Sequence, residues 1–84
     1  MNNGLLETAA KNFDAAQMLT GATQQQRIAL GLVQVARAAK GGQRDNGLLE
    51  TAARNFDAAQ MMTGPAQVQR IALGLVQFAR ALKH

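Results

Sequence analysis

The chain has 84 residues, a net charge of +4 and no cysteine, with an isoelectric point near 10.8. Those figures leave room for one small domain and exclude disulfides and thiolate metal sites. The basic balance allows an anionic partner, nucleic acid or a membrane surface, without requiring one.

Serine, tyrosine and tryptophan are also missing, while alanine, leucine, glutamine, arginine and methionine are abundant. That composition favours helix, and the shortage of β-branched residues argues against an all-β fold. The opening Met1-Asn2-Asn3-Gly4 has no basic start leading into an apolar stretch, so no signal peptide is expected and the location expected is cytoplasmic. The longest apolar run, Ile28 to Val33, is far too short to span a bilayer.

A shift of 43 residues places residues 3–40 on 46–83 with 31 of 38 positions identical. The chain therefore reads as two near-identical hairpin repeats, 3–40 and 46–83, joined by the glycine-rich linker 41–45. Identity this high indicates a recent or an engineered tandem duplication. Two copies fall short of the three or more that a solenoid usually needs, so the expected architecture is all-α: a four-helix antiparallel bundle with pseudo-two-fold symmetry.

The first helix is expected over Gly4 to Leu19, with Asn3 as N-cap and Asn46 in the same role in the second copy. Leu5, Leu6, Ala9, Ala10, Phe13, Ala16 and Thr20 share one face at about 100° per residue. Glu7, Lys11, Asp14 and Met18 lie opposite, with Glu7 and Lys11 spaced for an i,i+4 ion pair. Gly21 and Gly64 are read as hinges of tight turns, since Pro65 suits the start of a helix and disfavours helical backbone just before it.

The second helix, expected over Ala22 to Lys40, carries the apolar stripe Ile28, Leu32, Val35 and Ala39. Gly31 and Gly74 sit in mid-helix at a cost of about 1 kcal/mol each relative to alanine, which close approach of another element would explain. Three of the seven repeat differences, Gln25/Val68, Val35/Phe78 and Ala39/Leu82, make the second copy larger or more apolar. Phe78 and Leu82 are accordingly expected to face space left by Val35 and Ala39.

Two surfaces are candidates for function. Arg27, Arg37, Lys40, Arg70, Arg80 and Lys83 make the second helices basic, with no acidic residue among them, a pattern able to contact phosphates. Leu30 and Leu73 fall off the main stripe, and Met18 and Met61 lie on the charged face of the first helices. These four are candidate interface residues.

The duplicated layout, Leu19-Thr20-Gly21 and Met62-Thr63-Gly64 each followed by a basic helix, resembles the tandem helix-hairpin-helix DNA-binding fold over a few residues per copy. It departs from that fold in lacking the usual second glycine and in its longer helices. The resemblance implies DNA contacts through the turns.

Catalysis has little to build on. The one histidine is terminal, no serine or cysteine is present, and the carboxylates Glu7, Asp14, Glu50 and Asp57 fall on polar faces. The expectation is a non-enzymatic module without catalytic residues, metal or other cofactor, whose partner is a second copy or another protein. The alternative is a small basic nucleic-acid-binding domain.

Overall fold

The structure, a computed structural model, describes residues 2–83. Four helices follow in order: α1 (Asn3–Ala16), α2 (Gly21–Ala38), α3 (Asn46–Gln60) and α4 (Gly64–Leu82). They pack as two antiparallel hairpins, α1 with α2 and α3 with α4, in the four-helix arrangement expected.

The caps sit one residue earlier than the sequence suggested. Asn2 Oδ1 accepts from the Leu5 amide at 3.0 Å and Asp45 Oδ1 from the Leu48 amide at 3.0 Å. Asn46 instead accepts from the Gly41 amide at 2.9 Å, bracing the linker. α1 also stops three residues short of the expected Leu19, because the amides of Gln17, Met18 and Leu19 turn to carbonyls three residues back. That tightening is how a last turn satisfies its carbonyls. The anticipated Glu7–Lys11 pair does not form, whereas its counterpart Glu50–Arg54 does, at 3.8 Å.

Gly21 and Gly64 hold φ of 60° and 65°, a left-handed backbone that a side chain would strain. Each hairpin is then laced by the same two polar contacts. Asn12 Nδ2 donates to Gln34 Oε1 at 2.8 Å, and Asn55 to Gln77 at 2.7 Å. Gln24 Nε2 donates to the Ala16 carbonyl at 3.0 Å, and the fully buried Gln67 to the Ala59 carbonyl at 2.9 Å. These last bonds add a second donor to carbonyls at the ends of α1 and α3, which also accept from the Leu19 and Met62 amides.

The mid-helix glycines answer to the aromatic rings. A Cβ on Gly31 would lie 2.5 Å from Phe13 Cε1, and one on Gly74 would lie 2.5 Å from Phe56 Cε1. The ring of the first helix therefore occupies the place where the second helix lacks a side chain, and the pair lets the two backbones close up.

The hairpins meet through α2 and α3. Val33 and Ala36 of α2 cluster with Ala52, Ala53 and Phe56 of α3, while Ala39 joins Leu49 and Ala81. Phe78 packs against both clusters, the second of which holds Ala39, while Val35 belongs to neither. Leu82 does not follow it, remaining 44 % exposed.

Contacts run between successive helices, with a minor one between α2 and α4; α1 touches α2 alone, and α1 and α4 do not meet. The pseudo-symmetry relating the hairpins is thus an open one, since a two-fold closed within the chain would repeat the α2–α3 junction between α4 and α1. The flattened Cα envelope, 36 × 26 × 16 Å, reflects this.

Candidate interaction surface

The face of α2 that meets α3 comprises Ala29, Leu32, Val33, Ala36 and Ala39, all buried except the half-buried Leu32. Their counterparts on α4 are Ala72, Leu75, Val76, Ala79 and Leu82, and every one is exposed. Val68, 54 % exposed, extends the stripe where the first repeat has a half-buried Gln25. At successive spacings of three and four residues, Val68, Ala72, Leu75, Ala79 and Leu82 run along one side of a helix. The chain therefore presents twice a surface that it covers once.

α1 has a matching asymmetry. Ala53 is fully buried against α2, but its counterpart Ala10 is exposed; Leu49 and Phe56 are fully buried, whereas Leu6 and Phe13 are half-buried.

Two ion pairs edge the covered junction. Lys40 Nζ lies 2.7 Å from Glu50 Oε2, and Arg37 Nη2 lies 3.4 Å from Asp57 Oδ2. The hydrogen-bonded Lys40 ammonium, helped by Arg54 and Arg37, holds the Glu50 carboxyl below the ordinary value of 4.5. The counterparts Arg80, Lys83 and Glu7 form no ion pair among the described residues, and the Asp14 carboxylate accepts only from the Gln17 side chain, at 3.2 Å.

Among the six cations singled out from the sequence, Arg37 and Lys40 are thus engaged with acids of α3. Arg27, Arg80 and Lys83 are exposed, and Arg70 is half-buried. Of the four candidate interface residues, Met18 and Met61 are 86 % and 88 % exposed beside the turns, Leu73 is 47 % exposed and Leu30 half-buried. Leu73 lies at the edge of the α4 stripe, beyond Arg80, rather than within it. Sequence inspection missed the stripe itself, because Ala72, Leu75, Val76 and Ala79 repeat residues that serve as core in the first copy. The legible signal was Val68 and Leu82, two changes toward apolar at positions on one face.

A cleft of about 610 Å³ opens between the N-terminal ends of α2 and α4, lined by Gly21, Gln24, Gly64, Pro65, Gln67 and Val68 among others. None of its lining residues is ionisable. No group of acidic, histidine or cysteine residues suited to a metal ion occurs among the described residues, and no described helix is long and apolar enough to cross a membrane. No family model, curated protein or solved structure matches the chain.

Proposed function

We propose that the chain is a non-enzymatic helical module for self-association or protein–protein interaction, and that the α4 stripe is its contact surface. The exposed face of α4 carries this reading. Contiguous apolar surface of this kind marks an interaction site more often than scattered exposed residues do. Its counterpart on α2 is demonstrably fit to bury a helix. The nucleic-acid alternative is the weaker, since Arg37 and Lys40 lie beside the carboxylates Asp57 and Glu50, whose charge opposes a phosphate there.

A photo-crosslinking residue at Leu75, in cells producing the chain, tests the module directly. A discrete adduct with a second copy or with another protein is expected from position 75. The same probe at Thr51, exposed on α3 and away from the stripe, is expected to yield none. Absence of any discrete adduct from position 75 would contradict the module.

A further inference from the structure

We propose that copies of this chain join head to tail, α4 of one copy seating on α1 of the next as α2 seats on α3 within each chain. The inference rests on the reading of α4 as the contact surface and goes further by naming the occupant.

The internal junction is the template. Its α2 side, Ala29, Val33, Ala36 and Ala39, reappears on α4 as Ala72, Val76, Ala79 and Leu82, and these four are exposed. On its α3 side, Leu49, Ala53 and Phe56 reappear unchanged on α1 as Leu6, Ala10 and Phe13, each less covered than its counterpart. A chain that needed only its internal junction would gain by making these two outer faces polar, as the terminal repeats of stacked helical arrays do. Here neither face is so altered. Val68 and Leu82 make the α4 face more apolar than the α2 face it copies.

The charges complete the match. The pairs Arg37–Asp57 and Lys40–Glu50 edge the internal junction. Seating α4 on α1 in the same way places Arg80 beside Asp14 and Lys83 beside Glu7 of the neighbouring copy. Arg80 and Lys83 thus lie on one uncovered face and the two acids on the other, so the faces complement each other and not themselves. A face-to-face pairing of two α4 helices would instead offer Arg80 and Lys83 no acidic partner, since α4 carries none. The contact is heterologous, and it continues into a fibre unless its rotation closes a ring.

Sedimentation velocity on the full chain and two variants tests this. Ala10→Arg blocks the α1 face, and Ala79→Arg blocks the α4 face. Both positions are exposed in the single chain, so thermal melts of the two variants should match the unmodified chain when all are dilute. The unmodified chain should exceed twice its own mass as concentration rises. Each variant alone should sediment as one chain, and an equimolar mixture as a species of twice that mass and no larger. If the unmodified chain stays a single chain at millimolar concentration, head-to-tail joining is overturned, while a Leu75 adduct with another protein would leave the module standing. If Ala79→Arg abolishes association but Ala10→Arg leaves it intact, α4 pairs with itself and the proposal also fails.

A charge exchange gives an independent check. Arg80→Glu/Lys83→Glu and Glu7→Lys/Asp14→Arg should each weaken association at least tenfold, and the chain carrying all four changes should recover it. Equal weakening in the fourfold variant would overturn the pairing assigned here.

Discussion

Gly31 and Gly74 show what a single missing side chain does in this molecule. Alanine at either position would raise helix propensity by about 1 kcal/mol, yet its methyl would meet an aromatic ring at 2.5 Å. The two rings differ in freedom. Phe56 is fully buried, whereas Phe13 is half-buried and has room to swing outward. Overpacking a closed core costs about 1–3 kcal/mol, so with the helix gain set against it Gly74→Ala should lower stability by up to about 2 kcal/mol and Gly31→Ala by less. Urea denaturation at equal slope measures both, and a stabilised Gly74→Ala chain would contradict the ring-on-glycine packing. The cost of these glycines was legible in the sequence. Their partners were not, because helical periodicity places Phe13 on an apolar face without saying which residue of the next helix lies above it.

At the scale of elements, the turns were the most legible feature and the helix ends the least. Gly64 next to Pro65 specifies a break through local backbone preference alone, and Gly21 inherits the same reading through the repeat. The end of α1 closes on its own last amides and is braced by a tertiary contact. Gln24 reaches back to the Ala16 carbonyl, and a bond between residues eight apart leaves no local pattern. The ion pairs at the α2–α3 junction are illegible for the same reason: Lys40 lies just past the end of α2 and Glu50 on α3, and nothing local joins them.

Lys40 lowers the pKa of Glu50, so the charged carboxylate stabilises the fold. That contribution is fully present above the unfolded glutamate value and fades as pH falls through the lower folded value. An NMR titration should find the Glu50 midpoint below 4.5 and should find it moved upward in Lys40→Met. A midpoint indifferent to that substitution would contradict the bridge.

For the whole molecule, the repeat is what joins sequence to architecture. Near identity between the hairpins meant that both would fold alike, and the two turns, the two glutamine clasps and the two glycine–phenylalanine contacts bear this out. Identity could not say how one hairpin sits on the other. A closed pair and an open stack use the same residues, and the difference lies in whether α4 returns to α1. The structure keeps them apart, which converts duplicated core residues into surface and leaves an uncovered face on α1 and another on α4.

Cross-linking between copies tests that asymmetry most directly, and the absence of native cysteine makes it clean. One chain carries Ala10→Cys and another Ala79→Cys, counterparts of Ala53 and Ala36 in the internal cluster. Treated with a short bismaleimide, each alone should remain a single chain, and the mixture should give a cross-linked pair containing one of each. A pair formed by Ala79→Cys with itself, or no pair in the mixture, would contradict the account.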